Sequence, residues 1–114
     1  MSVDSREGYD KAFDHVLRLR IMSILMVNES YDFTSLKLLL QVTDGNLASH
    51  LRHLEQAKFV KVEKSFSGRK PLTTYRLTQE GRKAFQAHLD FLEKLILQNK
   101  SFKSSTTNKQ AEKY

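Results

Sequence analysis

The 114-residue sequence predicts a mainly helical α+β domain, with a three-helix core, one β-hairpin and a long C-terminal helix. Three observations support this prediction. Apolar residues recur at helical spacing in three segments before residue 60. Between residues 60 and 77 they alternate with polar residues, as in strands with one solvated face. From residue 79 the helical spacing returns and continues to about residue 98.

The first helix is predicted from about Tyr9 to Val27, after a polar segment, residues 1–8, that we expect to be disordered. Its apolar stripe consists of Phe13, Val16, Leu17, Ile21, Ile24 and Leu25. Further apolar residues outside the stripe are Leu19, Met22 and Met26. A helix that is apolar on more than one side must bury more than one side. In a chain of this length, we expect the second side to contact another subunit.

Two helices separated by a tight turn are predicted next. Residues 31–33 are expected to form a very short strand, and Thr34 or Asp32 to cap a helix at about 35–41. The following helix begins at Thr43, after one or two residues. This spacing is a helix-turn-helix pattern.

The helix that starts at Thr43 carries two different faces. Its apolar stripe is formed by Leu47, Leu51 and Leu54. The opposite face is nearly free of carboxylates and consists of Asn46, Ser49, His50 and His53, bordered by Arg52. Amide, hydroxyl, imidazole and guanidinium groups of this kind read base edges in the DNA major groove. An ordinary amphipathic surface helix is the alternative interpretation. Thr43 is predicted as the N-cap, accepting from the N–H of residue 45 or 46.

A basic hairpin is predicted from the change of period after Phe59. In the outgoing strand, Val60, Val62 and Phe66 alternate with Lys61, Glu63 and Ser65. In the returning strand, Thr73, Tyr75 and Leu77 alternate with Thr74 and Arg76. Residues 67–71 form the turn, where Gly68 supplies permissive backbone and Pro71 is expected to break the ladder.

The last helix is predicted to start after Thr78, its N-cap, and to end at about Leu97 or Gln98. Its apolar stripe, Phe85, Leu89, Leu92 and Ile96, is widened by Phe91, Leu95 and Leu97. A helix about 30 Å long exposes more apolar surface than a small core can cover, which favours a second subunit. Residues 99–114 are predicted to be a flexible basic tail.

Three segments, 17–25, 45–66 and 68–85, resemble the winged helix-turn-helix transcriptional regulators of bacteria and archaea, with the small MarR- and ArsR-like members nearest. The most specific segment is GRKPLTTYRLTQEGRKAF, residues 68–85. The resemblance covers about residues 10–97, and the predicted domain spans 9–98, with a dimerisation helix at 79–98. It implies that the helix at 43–57 enters the major groove and that the hairpin, as the wing, contacts the minor groove or its phosphates. It also implies a homodimer formed through the first and last helices.

The predicted DNA-binding residues follow from these positions: Thr34, Ser35, Asn46, Ser49, His50, Arg52, His53, Arg69 and Lys70. Arg69 is expected in the minor groove and Lys70 on a phosphate. The hydroxyls of Thr34 and Ser35 could bind phosphate or simply cap the helix. The predicted dimer interface comprises Phe13, Leu19, Met22, Phe85, Leu89, Leu92, Leu95 and Ile96.

Charge and composition restrict the classes of function. The net charge is +6, and residues 46–76 contain seven lysines or arginines against two glutamates. This charge favours nucleic acid as the partner over a membrane. Neither a secretory signal nor a membrane span is predicted, so we expect a cytoplasmic protein. Cysteine is absent, and His50 and His53 have no evident third ligand, so neither a metal nor a cofactor is expected.

The sequence therefore predicts a dimeric, sequence-specific DNA-binding regulator of transcription, acting as a repressor on a pseudo-palindromic operator. Enzymatic activity is not predicted, because the sequence shows no nucleophile elbow, no phosphate-binding glycine loop and no pair of buried carboxylates. One alternative is a winged-helix module that binds another protein without specific DNA binding. Another is a regulator that responds to a small-molecule effector between the first and last helices, with Met22, Met26, Phe85 and Phe91 as lining residues. The remaining histidines, His15 and His88, are expected near the dimer interface.

Overall fold

The computed structural model describes residues 8–112, with side chains described for residues 8–99. A short 3-10 turn, Lys11–Phe13, precedes the regular elements. These are α1 (Val16–Met26), β1 (Tyr31–Asp32), α2 (Phe33–Leu40), α3 (Asp44–Gln56), β2 (Val60–Ser67), β3 (Lys70–Leu77) and α4 (Gln79–Glu112). The mainly helical α+β prediction is confirmed. Of the N-terminal segment predicted to be disordered, residues 1–7 lie outside the described residues.

The chain divides into two compact units. One is Asp10–Phe85, and the other contains residues 8–9 and 86–112 among those described. In the first unit, α1 starts at Val16 rather than near Tyr9 as predicted. The reason is local hydrogen bonding, because His15 is extended and its Nδ1 accepts from the Leu17 N–H at 3.0 Å. The Asp10 carboxylate likewise accepts from the Ala12 N–H at 2.8 Å, which starts the separate 3-10 turn.

The core of the Asp10–Phe85 unit explains why α1 is apolar on two sides. α1 packs against both α3 and β3, so both sides are buried within one chain. Phe13, Met22 and Phe85 are only 2%, 0% and 4% exposed, and all three belong to the core cluster. Their prediction as dimer-interface residues is therefore wrong, because their apolar surface is already covered. Leu19 is partly buried against the same core.

The turn between α2 and α3 is fixed by caps and one ion pair. Asp32, not Thr34, is the N-cap of α2, and its carboxylate accepts from the Ser35 N–H at 3.0 Å and the Ser35 hydroxyl at 2.7 Å. Thr43 caps α3 as predicted, accepting from the Asn46 N–H at 3.2 Å. Lys37 and Asp44 form an ion pair of 2.8 Å between the two helices.

The three strands form an antiparallel sheet in the order β1-β3-β2. Ser67 pairs with Lys70, so the hairpin closes through two residues, Gly68 and Arg69, and Gly68 has a φ of +67°. Pro71 pairs with Phe66 inside the ladder, contrary to the predicted break. Proline is accommodated there because β1 pairs only with residues 74 and 75, which leaves this edge of β3 open.

α4 begins at a close junction with the sheet and is longer than predicted. Thr78 accepts from the Gly81 N–H at 2.8 Å, as expected of the N-cap. The helix continues to Glu112 instead of ending near residue 98, because residues 99–112 contain neither proline nor glycine to interrupt its hydrogen bonds. The segment predicted as a flexible basic tail therefore has a helical backbone as far as Glu112, and residues 113–114 lie outside the described residues. Within the part of the chain described, no helix is both long enough and apolar enough to span a lipid bilayer.

Candidate nucleic-acid interface

The two faces of α3 are separated as the sequence predicts. Leu47, Leu51 and Leu54 are each 0% exposed and attach the helix to the core. On the other side, Asn46, Ser49, Arg52 and His53 are exposed, whereas His50 is half-buried. The exposed side bears an amide, a hydroxyl, a guanidinium and an imidazole. This face, residues 46, 49, 50, 52 and 53, is open to a partner, except that His50 also contacts the rest of the Asp10–Phe85 unit.

His50 is the member of this face that α1 constrains. Its Nδ1 lies 3.1 Å from Nη1 of Arg18, and its ring centroid lies 4.2 Å from that of His15. Arg18 is itself held, because its Nε donates to the carbonyl oxygen of Ala12. Burial lowers the pKa of His50 below its usual 6.5, and the charges of His15, Arg18 and His53 lower it further. His50 is therefore neutral near pH 7. His15, which was expected near a dimer interface, lies beside α3 instead.

The hairpin tip presents two exposed cations. Arg69 lies in the two-residue loop and Lys70 pairs with Ser67 at the first position of β3. Farther from the tip, Arg76 lies 3.7 Å from the carboxylate of Glu63 on the neighbouring strand, which offsets part of its charge. The positive charge of the hairpin is thus strongest at its outer end.

The start of α2 is less suited to phosphate than predicted. The Ser35 hydroxyl and N–H both donate to Asp32, and these hydrogen bonds, the hydroxyl bond first, lower the pKa of that carboxyl. The carboxylate is therefore ionised near pH 7 at the N-terminus of α2. The Ser35 hydroxyl is engaged in this cap, and phosphate binding by Ser35 stays a prediction. Thr34 is exposed and lines an open cleft of about 330 Å³ between α2 and the hairpin, together with Asp32, Phe33, Lys64, Pro71, Leu72, Thr73 and Tyr75.

Sequence reasoning missed Arg18 as a contributor to this surface. The residue lies 32 positions before His50, and in the sequence it is one of two arginines, with Arg20, on a largely apolar helix. No spacing rule connects positions so far apart. Among the residues whose side chains are described, no group of three histidine or carboxylate side chains could hold a metal ion.

The residues that form this fold also match a family model. The model describes a winged helix DNA-binding domain and matches residues 17–96, which include both α3 and the hairpin. The chain belongs to the family of winged helix DNA-binding domains. In this chain the β2–β3 hairpin is the wing, and α2 and α3 form the helix-turn-helix.

The chain is also similar to three other proteins in sequence or structure. The chain is 38% identical over 79 residues to the uncharacterized protein MJ0432 of Methanocaldococcus jannaschii, covering 69% of this chain and 86% of that protein. It is 31% identical to a transcriptional regulator homologue from Pyrococcus horikoshii OT3, with a TM-score of 0.72 over 77% of this chain and 87% of that one. The YusO protein from Bacillus subtilis shares the fold, with a TM-score of 0.69, 17% identity, and coverage of 83% of this chain and 67% of that one.

Proposed function

We propose that this winged helix domain is a dimeric, sequence-specific regulator of transcription that represses genes by occupying a pseudo-palindromic operator. The observation that carries the proposal is the exposed, carboxylate-poor face of α3 on a chain of the DNA-binding winged helix family. The likeness to a protein described as a transcriptional regulator homologue supports the regulatory part. A regulator of this kind, MarR- or ArsR-like as the sequence predicts, acts in the cytoplasm.

In this proposal α3 lies in the major groove. The Arg52 guanidinium and the Asn46 amide are suited to paired hydrogen bonds with guanine and adenine edges, respectively. Ser49 and His53 are exposed beside them and donate single hydrogen bonds. Thr34, at the start of α2, donates its hydroxyl to a phosphate.

The wing supplies affinity at the adjacent minor groove. Arg69 is exposed at the tip of a two-residue loop, from which its guanidinium can enter a narrow groove. Gly68 has no atoms within 4 Å of where a Cβ would lie, so the loop is open on that side. Lys70 neutralises a phosphate and so adds affinity without sequence information.

A second copy of the chain covers the apolar side of α4 in this proposal. Leu89, Leu92, Leu95 and Ile96 recur at helical spacing and are 39%, 38%, 38% and 65% exposed. They are the predicted interface residues that remain at the surface of one chain. Pairing through them would present two α3 helices for half-sites separated by about 34 Å, one turn of DNA.

Selection of bound duplexes from random DNA tests the proposal. The expected result is a two-fold symmetric sequence that the wild-type protein binds with steep salt dependence. Arg69→Ala should weaken binding about tenfold and reduce the salt slope by about 1.8, because a dimer loses two cations. Lys83→Ala, which removes an exposed cation from α4, is the charge-matched control. Enrichment of no sequence, or equal loss in both variants, would contradict the proposal and favour a protein-binding module.

A further inference from the structure

The hydrogen bonds around His50 determine which of its nitrogens carries the proton. Arginine has five N–H donors and no acceptor, so the contact between Arg18 Nη1 and His50 Nδ1 requires Nδ1 to accept. An imidazole that accepts at Nδ1 is neutral and carries its proton on Nε2. The second bond of Arg18, to the Ala12 carbonyl, fixes the direction from which the guanidinium reaches His50.

The neighbouring ring, His15, accepts through the same nitrogen. Its Nδ1 accepts from the Leu17 N–H at 3.0 Å, which caps α1 and fixes the ring. The two rings are 4.2 Å apart at an interplanar angle of 39°. Protonation of His50 would place a charge beside Arg18.

We infer that Arg18 is a positioning residue for sequence reading: it orients His50 on α3 so that the Nε2–H is a fixed donor for an acceptor atom on a base edge. The inference rests on the proposed function and assigns the donor that His50 offers. Nδ1 is occupied by Arg18, which is the hydrogen-bond partner of His50 among the described residues, and the Nε2–H is left to donate elsewhere. Guanine O6 and N7, adenine N7 and thymine O4 are the acceptors of this kind in the major groove.

The same geometry makes the recognition of a base edge by His50 sensitive to mild acid. A protonated His50 carries a hydrogen on Nδ1 and can no longer accept from Arg18, so the ring loses its orientation. The groups that face it are His15 and Arg18 of the α1 segment and His53 of α3, and each of them disfavours a positive charge on His50. The pKa of His50 is lowered, with burial as the first cause, so the oriented neutral ring persists at pH 6.5 and is lost in more acidic solution, as the pH falls through the lowered pKa. Sequence discrimination should then fall, while affinity for any duplex rises with the added charge.

Two variants of matched chemistry test the role of Arg18. Arg18→Met keeps an unbranched side chain but removes all donors, and Arg20→Met makes the same change at an exposed position of α1. The measured quantity is the ratio of affinities for the duplex selected by the wild-type protein and for an unrelated duplex. At about pH 7.5, Arg18→Met should lower this ratio about three- to tenfold and Arg20→Met should leave it unchanged. In a His50→Ala background, adding Arg18→Met should have no further effect.

Long-range proton–nitrogen NMR of the free wild-type protein provides a second measurement that needs no DNA. It should show His50 as the Nε2–H tautomer, and Arg18→Met should mix the two tautomers and raise the pKa of His50. An Nδ1–H tautomer in the wild type, or equal ratios for the two variants, would overturn the inference and leave the proposed function standing. A wild-type protein that enriches no sequence would refute the proposed function, and the reading role of His50 with it.

Discussion

Substitution of Gly81 by alanine tests how α4 is joined to the sheet. A Cβ at this position would overlap the carbonyl oxygen of Phe59 and lie 2.8 Å from its carbonyl carbon. Both obstacles are backbone atoms, so no side chain can rotate to make room. The Phe59 carbonyl also accepts from the Thr78 N–H at 3.0 Å, and the Thr78 hydroxyl donates to the carbonyl of Lys58 at 2.7 Å. The new methyl group must therefore displace the start of α4 from these partners.

The magnitude follows from three terms. Inserting a methyl group into a tightly packed position costs about 1–3 kcal/mol. Loss of one hydrogen bond at the junction costs about 1 kcal/mol. The higher helix propensity of alanine returns up to about 1 kcal/mol. We therefore expect Gly81→Ala to lower the free energy of unfolding by about 2 kcal/mol, or the midpoint of thermal unfolding by about 10 °C.

Gly45 provides the control for this prediction. It also lies in the first turn of a helix, α3, but a Cβ there would meet no atom within 4 Å. Gly45→Ala should therefore raise the free energy of unfolding by up to about 1 kcal/mol. Urea unfolding followed by circular dichroism at 222 nm measures both variants. A Gly81→Ala protein as stable as the wild type, or equal effects of the two substitutions, would refute the reasoning.

Three further predictions concern stability and assembly. Asp32→Ala should lower the free energy of unfolding by about 1–2 kcal/mol in urea, because the N–H and hydroxyl of Ser35 both lose their acceptor. Stability should fall with acid in two steps, measured as the urea midpoint against pH. The first step, below pH 6.5, reflects the lowered pKa of His50, and the second, below pH 3.8, reflects that of Asp32, because the unfolded chain binds these protons more readily. Ile96→Lys should dissociate the proposed dimer in sedimentation velocity, whereas Leu38→Lys, at a residue 72% exposed on α2, should not.

Each of these predictions has an outcome that contradicts it. For Asp32, an unchanged urea midpoint would show that water replaces its hydrogen bonds at no cost. For the acid steps, a midpoint that rises between pH 6.5 and pH 5 would mean that folding favours protonated His50. For the dimer, a monomeric wild-type protein at about 100 μM would refute the use of α4 for association.

The sequence predicted those parts of the fold that depend on short-range patterns. The caps Thr43 and Thr78, the apolar stripe of α3 and the two hairpin strands are each specified within about ten residues of chain. The turn residue Gly68 is confirmed in the same way by its positive φ. Periodicity and capping chemistry act locally, so a single sequence shows them.

What the sequence could not show depends on contacts between distant segments. Phe13, Met22 and Phe85 were expected at a subunit interface because α1 is apolar on two sides, but a periodicity does not tell whether the covering surface belongs to the same chain. The contact of Arg18 with His50 joins residues 32 positions apart and leaves no local signal. The candidate site was therefore predicted as a set of exposed side chains, without the constraint that α1 places on one of them.

The two-residue closure of the hairpin limits how its length could change. Each additional pair of residues would extend the tip by about 3.4 Å and turn the following side chains to the opposite face of the ribbon. Only the addition or loss of two pairs, a step of about 7 Å, would return Arg69 to its present side. Homologous hairpins that keep an arginine directed as in this chain should therefore differ in length by even numbers of residues per strand, and intermediate lengths should require a bulge.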